Sequence, residues 1–353
     1  MQRIVAVDLV RGLAVLGMFA AHVGAAEGPP WSASGWLAVA DGRSAATFAL
    51  LAGLSAALLS GGPHPREGVR LRHAVVRILA RALLLWPLGA VLIALGTPVA
   101  VILPTYAVMF ALVTVALRWS RPALVTVAAA VALVGPVVWV AARRAVASTG
   151  TGRLPQGLDV LVGEHYPAVV WTAYLLVGLA LGRTDLRAPG VVARLSATGV
   201  ALGVVGYGGG AVASALLAPA DPLRDLVSVE PHANTTPEVV GNVGVALVLL
   251  AVCLLLARHV PGVVAPLAAV GALALTAYCA HLVVIAAMGD VVVWDPSNAR
   301  LAAFVVGALV LTWAWRVTLG RGPLERLLHE WSASVADTIV PAGRAPAVTA
   351  SGG

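Results

Sequence analysis

Apolar positions along this chain come in ten long runs, at residues 5–26, 36–60, 74–96, 98–117, 122–142, 166–182, 195–218, 239–257, 263–289 and 301–319. Charged residues gather between the runs, and the fourth, fifth and sixth runs contain none. A helix buried inside a water-soluble protein rarely stays uncharged over that length. A hydrocarbon core of about 30 Å needs about 20 residues at about 1.5 Å each, which is the scale of these runs. The pattern predicts an all-α polytopic membrane bundle of about ten transmembrane helices.

Composition strengthens that expectation. Of 353 residues, 60% are hydrophobic and only 11% charged, with a mean hydropathy of +0.93. A soluble enzyme, a secreted domain and a nucleic-acid partner are excluded by that apolar excess. The net charge of +7 comes from 23 basic residues, all of them arginine. With the N-terminus in the cytoplasm, 17 arginines fall on the inner side and five on the outer side, and Arg43 lies within a span. The positive-inside rule then places both termini in the cytoplasm. Asp8 and Arg11 interrupt the first run, which reads as an uncleaved helix rather than a signal peptide. Cys253 and Cys279 lie in apolar runs without a metal-site or disulfide spacing.

Three segments are expected: a transmembrane domain over 1–320, a short interfacial helix over 321–332, and a disordered cytoplasmic tail over 333–353. Leu324, Leu327, Leu328 and Trp331 recur at helical spacing in the interfacial segment. The tail is rich in Ala, Pro, Gly and Ser.

Charge inside a bilayer is costly, so each intramembrane polar residue calls for a partner or a water-filled site. On the first helix Arg11 lies about 60° from Asp8, and His22 about 20° from Arg11, at about 100° per residue. One stripe therefore runs from an acid–base pair near the inner end to an imidazole about 16 Å away near the outer end. Asp41 and Arg43 open the second helix at the depth of His22, and a His22–Asp41 contact is expected. A carboxylate on one imidazole nitrogen fixes the tautomer and leaves the other nitrogen as a base. Ala45, Ala49, Gly53 and Ala57 form a small-residue strip for close helix contact.

Further polar residues converge at the outer end. Thr236-Pro237-Glu238 is expected to cap the eighth helix, with Asn242 one turn deeper and His232 just upstream. Tyr278 and His281 lie three residues apart toward the outer end of the ninth run. His165 is expected to be a solvated surface residue, as are His64, His73, His259 and His329 on the inner side.

Arg3-Ile4, Asp8-Leu9-Val10-Arg11-Gly12-Leu13-Ala14, Gly17-Met18 and His22 together resemble the opening of a transmembrane acyltransferase group. That group includes heparan-alpha-glucosaminide N-acetyltransferase and the bacterial YeiB-like proteins. Ala40-Asp41-Gly42-Arg43, Leu103-Pro104-Thr105-Tyr106-Ala107 and Tyr174 with Gly178, Gly182 and Arg183 extend the similarity. Pro231-His232, Gly271 with Leu275-Thr276-Ala277-Tyr278, and Gly322-Pro323-Leu324-Glu325 resemble the YeiB-like branch. The likeness covers nearly the whole chain.

The resemblance implies transfer of an acetyl or other acyl group from cytoplasmic acyl-CoA, acetyl-CoA above all, to an extracytoplasmic sugar or envelope hydroxyl or amine. An acyl-histidine is one route. His22 and Asp41 are the expected catalytic residues. Asp8, Arg11, Arg43, Glu238, Asn242, Tyr278 and His281 are expected to support them. The donor phosphates would rest near Arg11, Arg72, Arg77 or Arg183, and no metal is expected. The family's proposed catalytic histidine aligns closest to Trp31, in the loop before Asp41. Expected partners are the lipid bilayer and a small-molecule or glycan acceptor, with a homodimer allowed. The lysine-free, alanine-rich composition points to a GC-rich bacterium and its plasma membrane. A transporter or flippase without covalent chemistry is the alternative, because intramembrane Asp, Arg and His also mark substrate pathways.

Overall fold

The computed structural model describes residues 4–29, 32, 34–149, 154 and 157–341. Trp31, Arg3 and the tail beyond 341 lie outside the described residues. Every apolar run falls on helix. The first half contains α1 (Val5–Val23), α2 (Arg43–Leu59), α3 (Gly68–Ala94), α4 (Leu103–Val113), α5 (Arg121–Ser148) and α6 (Ala168–Gly182). After these come α7 (Val191–Gly203), α8 (Thr236–His259), α9 (Ala265–Ala272), α10 (Ala274–Met288), α11 (Asn298–Thr318) and α12 (Pro323–Ile339). No strand occurs among the described residues.

Among the described residues, seven helices are long and apolar enough to cross a membrane, or eight when α9 and α10 count as one bent span. The sequence predicted about ten, and the difference lies in α4 and α6. Both are apolar but short, and α6 rises only about 22 Å against a core of about 30 Å. α6 is nearly all buried among its neighbours, so protein rather than lipid satisfies its surface. The opposite case is α11, where only Leu301 and Thr312 are buried.

Glycine permits a close contact between α2 and α6. A Cβ on Gly178 of α6 would collide with the Leu50 carbonyl of α2, and one on Gly53 of α2 with the Leu175 carbonyl. The small-residue strip of α2 therefore lies against α6, as its spacing predicted.

The ninth run is broken. α9 and α10 meet at 80° around Leu273, and charged side chains satisfy both exposed helix ends. Arg11 Nη1 donates to the Gly271 carbonyl at 3.3 Å near the end of α9. Glu325 of α12 takes the amides of Leu275 at 2.7 Å and Thr276 at 3.0 Å, and the Thr276 hydroxyl at 2.6 Å. A cation at a helix C-terminus and an anion at an N-terminus each match the local dipole.

α12 runs to Ile339, seven residues beyond the interfacial helix expected over 321–332. Ser332 and Ala336 are buried one turn apart, so the face that packs on the bundle continues into the segment assigned to the tail. His73 and His329, expected at the surface, join α12 to α3. His73 Nε2 lies 2.8 Å from Asp337, and Arg77 Nη2 lies 3.2 Å from His329 Nδ1.

Candidate functional site

The polar stripe of α1 faces the bundle, not the lipid. Asp8 is buried, and Arg11 Nη1 donates to its carboxylate at 3.0 Å. Arg11 Nη2 donates to Ser55 Oγ of α2 at 3.1 Å. With its bond to Gly271, Arg11 joins α1, α2 and α9 near one end of the bundle.

At the other end of the stripe His22 meets His281 of α10. His281 Nδ1 lies against the Tyr278 carbonyl, which can only accept, so this nitrogen carries the proton. His281 Nε2 is then the acceptor, and His22 Nδ1 donates to it at 3.0 Å. The rings lie 5.3 Å apart and within 8° of parallel, with Phe19 at 4.7 Å from the buried His281 ring. This chain of two hydrogen bonds leaves the lone pair on His22 Nε2 available. Asp41 and His232 are near enough to interact with His22 electrostatically.

The structure corrects the expected pairing of Asp41 with His22. Asp41 Oδ1 stands 3.6 Å from His232 Nε2, an ion-pair separation. Gly42 turns the chain after Asp41 at φ +66°, a backbone that favours glycine, with the Pro231 backbone 3.3 Å from where a Cβ would stand. His232 Nδ1 faces the His165 carbonyl at 3.4 Å, so both ring nitrogens look toward acceptors. Its ring stacks on Trp171 at 12° and meets Tyr166 edge-on at 5.3 Å. Burial pushes the His232 imidazole down, but the Asp41 carboxylate and the Glu238 charge outweigh it and raise the group above its ordinary value. His165 is exposed, as expected, and its ring also adjoins this aromatic cluster, 5.8 Å from His232. Burial first, and then the neighbouring His232, lower its affinity for a proton, against an opposing pull from Glu164 and Asp41.

The segment carrying His232 is shaped by Glu238. Thr235, not Thr236, is the N-cap of α8; its side chain accepts the Glu238 amide at 3.2 Å. Glu238 therefore occupies N3 and reaches back in the manner of a capping box. Its carboxylate accepts the amides of His232 at 2.9 Å and Asn234 at 2.6 Å. Both residues have positive φ, 61° and 54°, an uncommon backbone for non-glycine residues that this carboxylate holds in place. Trp171 Nε1 donates to Asn234 Oδ1 at 2.8 Å. Asn242 Nδ2 donates to Tyr174 at 3.0 Å and faces Glu238 at 3.4 Å, and its oxygen accepts the Tyr207 hydroxyl at 2.5 Å. Tyr207 sits in a π-helical turn, Val204–Gly208, that continues α7. Glu238 and Asn242 are thus a scaffold for the site.

Arg43 is not neutralised by the Asp41 side chain. Its guanidinium lies 4.7 Å over the Tyr207 ring and faces the carbonyls of Ala38 and Asp41 at 3.4 and 3.5 Å. It borders an apolar cavity of about 780 Å³ between α1, α2, α8 and α11. A second cavity, of about 500 Å³ between α10 and α11, reaches His281. The hydroxyl of Tyr106 is buried without a hydrogen-bond partner.

The arginines proposed for donor phosphates are not equivalent. Arg183 donates to the carbonyls of Ala57, Gly62 and Leu117 at 3.2, 2.6 and 2.6 Å and to Ser60 Oγ at 3.0 Å. It closes the ends of α2, α4 and α6 together and has no free fork for a phosphate, which removes it from the expected set. Arg77 packs under α12, while Arg72 is exposed. No group of three metal-ligating side chains is assembled among the described residues.

Among the residues around this site that the sequence did not assign a role are His232 and Tyr106. Both lie in motifs that carried the resemblance, Pro231-His232 and Leu103-Pro104-Thr105-Tyr106-Ala107. Residues 3–203 match the family described as heparan-alpha-glucosaminide N-acetyltransferase, catalytic. Residues 183–334 match the family described as protein of unknown function (DUF418). No curated protein matches the chain.

Proposed function

Because the chain belongs to the heparan-alpha-glucosaminide N-acetyltransferase catalytic family, a family of membrane acyltransferases, we propose that it moves an acyl group from acyl-CoA to an acceptor across the bilayer. The observation that supports this most is the hydrogen-bond chain from the Tyr278 carbonyl through His281 to His22. It leaves an imidazole nitrogen unprotonated beside Asp41 and His232, at the far end of the stripe from Arg11. In the direct route the acceptor hydroxyl or amine attacks the thioester carbonyl and gives its proton to His22 Nε2. The carbon–sulfur bond breaks, and the departing thiolate takes that proton. In the covalent route His22 Nε2 attacks the carbonyl and expels the thiolate; the acceptor then attacks the acyl-imidazole, its carbon–nitrogen bond breaks, and the acceptor's proton passes to the thiolate.

Asp41 acts on this site through His232 rather than by orienting His22. The resulting charged pair faces the space where an acceptor would stand, and Trp171 and Tyr166 hold its imidazole. Donor phosphates stay at the Arg11 end, with exposed Arg72 as their contact. The inner side is the cytoplasm in this proposal, and the membrane is a bacterial plasma membrane.

Radiolabelled acetyl-CoA incubated with purified protein and a cell-envelope extract tests the proposal. Label moves to an acceptor with wild type and not with His22→Ala. Equal transfer by both would end the assignment of His22, and no transfer by wild type would end the acyltransferase function itself. The broken α9–α10 span favours a second function, since discontinuous helices mark many transporters. Flux into proteoliposomes driven by a proton gradient, in the absence of acyl-CoA, would establish that alternative.

A further inference from the structure

A second polar site lies between α3 and α12, apart from the histidine cluster. Arg77 and Arg81 stand one turn apart on α3 and turn toward α12. Their hydrogen-bond partners are neutral: His329 Nδ1 for Arg77, and Ser332 Oγ at 3.5 Å for Arg81. Arg77 Nε is buried without a partner. Arg321 is close enough to repel both guanidinium groups; Arg66 adds to the charge around Arg77, and Arg11 to that around Arg81. Asp337, paired with His73, attracts Arg77 in part, whereas Asp8 is held by Arg11 and Glu325 by the amides of α10, and Arg81 has only other arginines acting on it. His329 must accept from Arg77, so it is neutral here; burial, Arg321, Arg77 and Arg81 lower its proton affinity against an opposing pull from Glu330. Arg81 is withdrawn from water with no carboxylate acting on it, and Arg77 has only Asp337, so an anion between the two guanidinium groups offsets a cost that the protein leaves uncompensated.

The same face of α3 continues into apolar surface. Arg77, Arg81, Leu84 and Leu88 follow at intervals of four, three and four residues, which is one helical stripe. Leu84 and Leu88 line a cleft of about 240 Å³ with Leu275 of α10 and Leu324, Leu327 and Leu328 of α12. No polar residue lines it. A cationic rim above a greasy slot, in a protein that spans a membrane, is complementary to an amphiphile with an anionic head. A free phosphate has nothing to place in the slot, and a soluble nucleotide carries no chain for it.

We propose that an anionic phospholipid docks between α3 and α12, its phosphate on Arg77, Arg81 and Arg321 and one acyl chain in the leucine cleft. The lipid joins α12 to the bundle, and α12 in turn carries Glu325 to the break before Tyr278 and His281. The site is separate from the acyl-transfer chemistry and stands or falls without it.

Native mass spectrometry of the full chain, with phosphatidylglycerol and phosphatidylcholine titrated separately, tests the site. One phosphatidylglycerol is retained at concentrations where phosphatidylcholine is lost. The pair Arg77→Gln with Arg81→Gln weakens its binding by about thirtyfold, since each basic residue at a lipid surface contributes about fivefold. Arg77→Lys with Arg81→Lys keeps most of it, and Arg118→Gln, an exposed arginine before α5, leaves it unchanged. Leu328→Ser weakens lipid retention with the arginines intact, which keeps the test decisive if the glutamine pair does not fold. Equal retention of the two lipids, unchanged binding by a folded glutamine pair, or displacement of the lipid by inorganic phosphate or coenzyme A would each overturn the proposal.

Discussion

His22 Nδ1 donates to His281 Nε2 at 3.0 Å, with the two imidazoles within 8° of parallel. The bond specifies which nitrogen of His22 is left to act, and it does so from a residue 259 positions away.

If that bond sets the tautomer, His281→Gln, whose amide oxygen can accept from His22 Nδ1, retains more transfer activity than His281→Ala. His22→Ala loses about two to four orders of magnitude, the usual contribution of a positioned base. Initial rates with labelled acyl-CoA across pH check both. Alanine and glutamine at 281 giving the same profile would mean His281 is only packing.

Asp41→Asn removes a push that raises the His232 proton affinity above its ordinary value near 6.5. A group raised on folding adds stability that is complete below the unfolded value and fades as pH rises through the folded one. Wild type is therefore more stable than Asp41→Asn at pH 6, and the gap narrows at pH 9. Thermal unfolding in detergent at the two pH values measures it; a gap that widens with pH contradicts the pairing.

Glu238→Ala leaves the buried amide of Asn234 and the amide of His232 without their acceptor. The cost is about 2 kcal/mol or more, given about 1–3 kcal/mol for each unsatisfied buried group. Glu238→Gln recovers part of it, because one amide oxygen remains. The melting temperature should fall in the order wild type, Gln, Ala.

Gly178→Ala drives a methyl group into the Leu50 carbonyl of α2. Overpacking of this kind costs about 1–3 kcal/mol. Gly208→Ala, where the added carbon meets nothing, is the control. Similar melting points for the two variants would show that α2 and α6 are less tightly apposed than the structure has them.

The helices were legible because lipid demands uninterrupted apolar runs, and each run became helix. What the runs could not show was depth. α4 and α6 read as spans by composition, yet their neighbours shorten them, and no periodicity within 166–182 carries that information. The α1 stripe was legible for the same reason that it is costly: Asp8, Arg11 and His22 stand out in a hydrophobic field. Their partners were not legible, since Asp41 has two histidines within reach, and only the fold of the 231–236 segment brings His232 closer. The N-cap moved by one residue because Thr235 and Thr236 have the same chemistry and local sequence cannot choose between them. Arg183 looked free because its acceptors are main-chain carbonyls, which no sequence displays.

The joint between α9 and α10 belongs to three parts of the chain at once. Arg11 holds one side from the first helix through a main-chain carbonyl, and Glu325 holds the other from α12 through two main-chain amides and the Thr276 hydroxyl. A disturbance at the carboxyl-terminal helix can thus travel to the imidazole pair along a single short lever, without having to reorganise the packed interior between them.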